Sequence, residues 1–318
     1  MQPLVIGHRG ACAHAAENSL ASAALAHAQG ADLIELDVIL SRDGQLVVCH
    51  DLHLDELTDV AVRFPGRARA DGLTYVLDLD GSELRQLRTG PRKDGPPRTF
   101  PTQPLATLDA HLDQLAALNA ARAHTAPGSR PVELYLELKS PAWHAAAGRD
   151  LTTAALACLT RHGLSRTTDP VIVETFDPAE LRRLRFDLKT NLRLTQLLGE
   201  NAWAEAHCDY DTLRTPAGLR EIATYAQAVA INLDRVLAGV CSDSRSPSAT
   251  PQFTSFVADA HAAGLRAHAY TFRADALPHG QTDAARVLHW LLDDAQAGLD
   301  GLFTDHPDVM RAFLGSKR

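Results

Sequence analysis

The chain has 318 residues, 45% of them hydrophobic and 22% charged, with a formal net charge of −8. This is the composition of a globular domain, not a disordered chain, and acidity without a basic stripe excludes a dedicated nucleic-acid binder. There is no run of about 18 apolar residues to predict a transmembrane helix, and five cysteines without CxxC spacing exclude a zinc site or disulfide framework.

Apolar, β-rich runs recur at residues 4–7, 33–38, 132–138, 171–174, 192–197, 229–233, 266–270 and 301–303. Ala- and Leu-rich stretches at 20–29, 105–118, 151–162, 178–184, 219–227 and 252–263 carry helical periodicity. Eight alternations predict parallel strands with helical crossovers, closed into a single α/β domain, a (β/α)8 TIM barrel over the whole chain. A doubly wound sheet is disfavoured because no G-x-G-x-x-G follows the first strand. Residues 52–104 break the rhythm with charges and turn residues. They are expected to form a small insertion after the second strand and its hairpin. Residues 242–251, S-D-S-R-S-P-S-A-T-P, read as a second, shorter loop.

In such a barrel the C-terminal ends of the strands face the active site. The first strand delivers His8 and Arg9 to its tip, with Gly10 expected to turn the backbone where a side chain would obstruct a substrate. The other strands end on Glu35 and Asp37, on Glu137 and Lys139, on Glu174 and Phe176, on Asn232, on His268 and Tyr270, and on Thr304, Asp305 and His306. Glu35 and Asp37, two apart in a strand, share a face. Two carboxylates there repel unless a proton or cation intervenes. A divalent ion with oxygen ligands, Mg²⁺ or Ca²⁺, satisfies them, and Glu137 completes a three-carboxylate set. A solvated strand face is the competing reading, disfavoured by the flanking Leu33, Ile34, Leu36 and Val38. Asp43-Gly44 is a hairpin signal that returns His50 and Asp51 towards these carboxylates. His8 and His50 then suit general acid and base roles. His14, His27, His111, His124, His162 and His289 read as structural or surface residues. Asn18 or Ser19 suits a helix cap, while Glu17 falls on the catalytic-face loop. Trp143, Phe176 and Tyr270 read as rings packed in the core or beside the site. Cations beside a metal indicate an anionic group, and phosphate fits best.

The motifs H-R-G (8–10), E-N-S (17–19), E-L-D-V (35–38), D-G-Q-L-V-V-C-H-D (43–51), L-E-L-K (136–139) and G-L-F-T-D-H-P-D (301–308) together resemble the glycerophosphodiester phosphodiesterase family. Residues 51–72 and 138–144 resemble its longer, periplasmic bacterial branch. The resemblance implies a TIM barrel with an insertion that hydrolyses glycerophosphodiesters, such as glycerophosphocholine or glycerophosphoethanolamine, to sn-glycerol 3-phosphate and an alcohol. It implies one divalent ion on Glu35, Asp37 and Glu137, an acid–base pair in His8 and His50, and phosphate contacts from Arg9 and Lys139. Glu17, Glu174, Phe176 and Tyr270 are implied as supporting residues, Glu174 standing where that branch usually has glutamine. The family's reaction is thought to start from the substrate's own glycerol hydroxyl, giving a cyclic phosphate. A small-molecule substrate is expected, without nucleic acid or stable membrane insertion, in a monomer or dimer. Lacking a signal-peptide pattern, the sequence as it stands is expected to be cytoplasmic, or periplasmic if a leader has been removed. A lipid-headgroup phosphodiesterase and a non-catalytic binding barrel are the competing functions.

Overall fold

The computed structural model describes residues 2–241, 249–293 and 295–316. Eight strands, β1 (Leu4–Gly7), β2 (Leu33–Leu40), β3 (Glu133–Leu138), β4 (Val171–Thr175), β5 (Arg193–Leu198), β6 (Ala228–Asn232), β7 (Arg266–Phe272) and β8 (Gly301–Thr304), pair in parallel. β1 closes the cylinder, with Gly7 opposite Ile34 of β2 on one side and Thr304 of β8 on the other. This is the expected TIM barrel. Its strands read as near-continuous apolar runs because both faces are covered; all eight residues of β2 are buried. Ile6, Leu33, Tyr135, Ile172, Leu197, Ala230 and Phe303 fill the interior.

Crossover helices include α1 (Leu20–Ala28), α2 (Leu108–Thr125), α3 (Leu151–Arg161) and α4 (Pro178–Arg182). They start where Ser19, Thr107, Asp150 and Asp177 accept a backbone N–H from the first turn, each cap contributing about 1 kcal/mol. α5 (Pro216–Ile222), α6 (Phe256–Ala262), α7 (Ala284–Leu292) and α8 (Pro307–Ser316) follow. The expected helix at 252–263 starts late, because Thr250–Phe253 pairs antiparallel with Leu237–Cys241. That strand partner lies across the loop and is invisible to a local pattern. Of the expected loop at 242–251, residues 242–248 lie outside the described residues. No helix among the described residues is long and apolar enough to cross a membrane.

Two local features position the site. β2 runs into a turn in which Gly44 takes φ +81°, and the chain returns as Leu46–Val48, with Val38 opposite Val48. The segment 52–104 then forms short helical turns, Val60–Arg63, Val76–Asp78 and Gly81–Leu84, and a small ladder of Arg88–Thr89 on Gln103–Pro104. Leu54, Val60, Val76 and Leu79 are fully buried in its own cluster, which continues onto Ile39 and Val47 of the hairpin. At about 1.5–3 kcal/mol per buried aliphatic side chain, this cluster ties the segment to the hairpin.

Candidate active site

His8 follows β1, its backbone N–H donating to the Thr304 carbonyl at 3.0 Å. Its Nδ1 lies 2.8 Å from Asp305 Oδ1, just beyond β8. His50 follows the hairpin, with Nδ1 2.5 Å from Asp51 Oδ1 and Nε2 3.2 Å from Lys139 Nζ. An ammonium group only donates. Nε2 of His50 therefore accepts, and its Nδ1–H donates to Asp51. Burial, with Arg9 and Lys139 nearby, pushes the His50 imidazole down to about 4, which favours this neutral form.

Glu35, Glu137 and Glu174, from β2, β3 and β4, bring carboxylate oxygens within 4.8 Å of one another. All three are buried, and Glu35 Oε1 and both Glu174 oxygens have no hydrogen-bond partner. Burial and mutual repulsion push Glu35 and Glu174 well above the carboxylate range. Glu137 is pushed up to about 8 by burial, although Lys139 Nζ lies 2.8 Å from its Oε1. Unpartnered buried carboxylate oxygens in this number suit a hard divalent cation. Of the expected trio, Glu35 and Glu137 meet, and Glu174 completes the group. Asp37 stands beside this group, its charge helping to raise Glu35 and Glu137: Asn18 Nδ2 donates to its Oδ2 at 2.8 Å, and Arg9 Nε lies 3.4 Å from the same oxygen. Burial opposes the Asp37 charge, but His50, Arg9 and Lys139 outweigh it and hold the carboxyl below its usual range.

Two other His/Cys/Asp groups have ligand spacing: His8, Cys12 and Asp305, and Asp109, Cys158 and His162. Burial pushes the Cys12 thiol well up and that of Cys158 to about 12.

Arg9 ties the mouth together. Its backbone N–H donates to Glu35 Oε2 at 2.8 Å, and its guanidinium pairs with Glu17 at 2.8 Å. A cavity of about 190 Å³ is lined by His8, Arg9, Glu35, His50, Glu137, Lys139 and Glu174, with Phe176 and Tyr270 among its walls. Glu17 instead lines an adjoining cavity of about 320 Å³ that shares His8, Arg9 and Thr271 and is bordered by residues between Gly90 and Phe100.

Other expected roles are redistributed. Trp143 stacks on Tyr75 of the insertion at 5.8 Å between ring centroids. His268 is buried inside the barrel, Nδ1 3.1 Å from the Tyr135 hydroxyl. Asn232 caps a turn by accepting from the Asp234 N–H. Gly10 takes φ +86°, and a Cβ there would meet the Ser22 backbone at 2.5 Å. Glycine is required there by α1 rather than to leave room for a substrate. Trp203 and Glu205 also line the smaller cavity, though no strand ends on them. Ser19 takes the cap of α1, and Asn18 instead grips Asp37 with both ends of its amide.

The fold and this mouth define a TIM-barrel hydrolase, with acid–base groups and cations converging on one cavity. Residues 8–309 match the Glycerophosphoryl diester phosphodiesterase family, and the chain belongs to that family. It is 32% identical to the glycerophosphodiester phosphodiesterase of Haemophilus influenzae, over 98% of this chain and 89% of that one. It is 30% identical to the enzyme of that name from Treponema pallidum, over 98% and 92%. Among solved structures, one from Silicibacter pomeroyi superposes with a TM-score of 0.72 at 25% identity, covering 99% of this chain and 94% of that one. An Oleispira antarctica phosphodiesterase in complex with sn-glycerol-3-phosphate, described as its product, shares the fold with a TM-score of 0.64 at 20% identity, covering 99% and 97%.

Proposed function

We propose that the protein hydrolyses glycerophosphodiesters with choline or ethanolamine alcohols to sn-glycerol 3-phosphate and the free alcohol, with one divalent ion, Ca²⁺ or Mg²⁺. The observation that carries this reading is the buried group of Glu35, Glu137 and Glu174, with unpartnered oxygens, in the cavity that also holds His8 and His50. Glu35 and Glu137, with Asp37 or Glu174 as the third carboxylate, would hold the ion, and Asp37 Oδ2 also keeps Arg9 and Asn18 in place. When bound, such an ion offsets the carboxylate charge and polarises a phosphoryl oxygen.

Arg9 and Lys139 supply the phosphate contacts. His50, neutral and with Nε2 turned into the cavity towards Lys139, takes the proton of the attacking hydroxyl. His8 gives a proton to the departing alcohol oxygen, and Asp305 stabilises its imidazolium form. Phe176, Tyr270 and Trp203 with Glu205 form a wall suited to a cationic alcohol, through ring faces and one carboxylate. The attacking hydroxyl is either the substrate's own glycerol hydroxyl or water. Trapping a cyclic glycerophosphate separates the two.

Product analysis on glycerophosphocholine tests the reading. It predicts sn-glycerol 3-phosphate and choline in equal amounts. Phosphocholine and glycerol would place the cleaved bond on the other side of phosphorus and overturn it.

A further inference from the structure

Both cavity histidines meet an aspartate at Nδ1, and the other oxygen of each aspartate lies within ion-pair distance of arginine. Asp51 Oδ2 lies 2.9 Å from Arg92, and Asp305 Oδ2 lies 3.4 Å from Arg273 and 3.8 Å from Arg98. Arg92 and Arg98 belong to one short stretch of the insertion, far in sequence from either histidine. Arg92 also reaches Glu17 at 3.3 Å, and Arg98 donates to the Cys12 carbonyl at 2.5 Å. The side chains of Arg92 and Arg98 are 22% and 14% exposed, those of Asp51 and Asp305 10% and 9%. These contacts are therefore shielded, unlike ordinary surface ion pairs.

We infer that Arg92 and Arg98 are positioning residues, through which the insertion sets the Asp51–His50 and Asp305–His8 pairs. This rests on reading the two histidines as the acid–base pair. A carboxylate with one oxygen on an imidazole and the other facing a shielded guanidinium is oriented by both charges. A carboxylate held this way sets the ring's tautomer and direction; Arg92 is itself anchored by its two-nitrogen fork on Asp94, which presents Nη2 to Asp51.

The competing role for these arginines is capture of an anionic part of the substrate in the adjoining cavity. The charges there weigh against it. Arg92 already meets Glu17, Asp51 and Asp94, while Arg98 and Arg273 share Asp275 and Asp305. Anion capture there would have to displace an existing ion pair at each guanidinium, and it would show as a rise in KM.

The test uses the full chain with saturating metal and glycerophosphocholine. Arg92→Gln and Arg98→Gln are each expected to lower kcat about tenfold to hundredfold, with KM changed less than about twofold. Arg92→Lys, which keeps the charge, is expected to recover part of the loss and guards against misfolding of the glutamine variant. The effect of Arg92→Gln should vanish in an Asp51→Asn background and persist in Asp305→Asn, and Arg98→Gln should show the reverse. A rise in KM at constant kcat, or effects that multiply in both backgrounds, would overturn the inference.

A substrate-independent readout separates this outcome from failure of the proposed activity. Low-field imidazole N–H resonances, assigned with His8→Ala and His50→Ala, should shift or broaden for His50 alone in Arg92→Gln. In Arg98→Gln the change should be confined to His8. If neither resonance responds, the insertion does not position the rings.

Discussion

At the N-terminal mouth of the barrel, Glu133 pairs with Arg193 at 2.8 Å and Asp32 with Arg311 at 2.7 Å. Asp32 also accepts the Val5 N–H at 2.9 Å, tying β1 to the start of β2. At the C-terminal mouth, Glu35, Glu137 and Glu174 crowd within 4.8 Å, buried, with oxygens left unpartnered. One end neutralises its acids in pairs at partly exposed positions. The other stacks acids where burial penalises each charge. Pairing closes a barrel; stacking calls for a proton or a cation to relieve it. The contrast assigns structure to one mouth and chemistry to the other.

The largest effect that sharpens this contrast is at the histidines. His50→Ala and His8→Ala should each lower kcat by about 10²–10⁴-fold with the fold intact, checked by turnover alongside circular dichroism. Activity close to the parent in either variant would remove that residue from the chemistry.

Glu174→Gln comes next. Removing one of three stacked charges should weaken divalent-ion affinity about tenfold or more while raising the melting temperature of the metal-free protein. Calorimetric titration and thermal unfolding read the two effects. Unchanged ion affinity would leave Glu174 as a buried acid without a role at the ion.

A smaller effect follows from pH. Glu137 titrates near 4.5 as a free side chain and at about 8 in the folded, metal-free protein, burial being the main cause. Folding therefore takes up protons between these values, and stability falls as pH rises through that window. The melting temperature of chelated protein should drop from pH 7 to pH 8, above the range in which the buried neutral histidines His50, His111, His144 and His268, held down to about 4, add stability with rising pH, and added divalent ion should raise it more at pH 8. A melting temperature that does not change between pH 7 and pH 8 would mean the acids are not strained.

The smallest effect is expected at the other mouth. Glu133→Gln should change stability by less than about 1 kcal/mol and leave kcat unaltered. A large loss of activity there would erase the distinction between the two ends.

Much of this architecture was legible in the amino-acid order. Strands buried on both faces announce themselves as short apolar runs, and Asp43-Gly44 marks the hairpin that delivers His50. Glu35 and Glu137 were legible because each interrupts an apolar strand, and Lys139 because it follows the end of one. Asn18 was read as a cap because a local pattern cannot show that its amide grips Asp37 on another strand. Asp51 and Asp305 stood in plain view beside His50 and at the end of β8, yet their grip on Nδ1 is a property of side-chain direction. Arg92 and Arg98 carried no signal, since an irregular insertion has no periodicity to say what it covers. The strand Thr250–Phe253 was missed for a related reason, its partner lying across the loop.

The central claim is that the stacked carboxylates hold a divalent ion required for glycerophosphodiester hydrolysis. The most direct measurement is the rate of sn-glycerol 3-phosphate release from glycerophosphocholine by chelated protein, titrated with Ca²⁺ and with Mg²⁺. The account predicts negligible release in chelator and saturable recovery with at least one of the two ions. Equal release with and without chelator would contradict it.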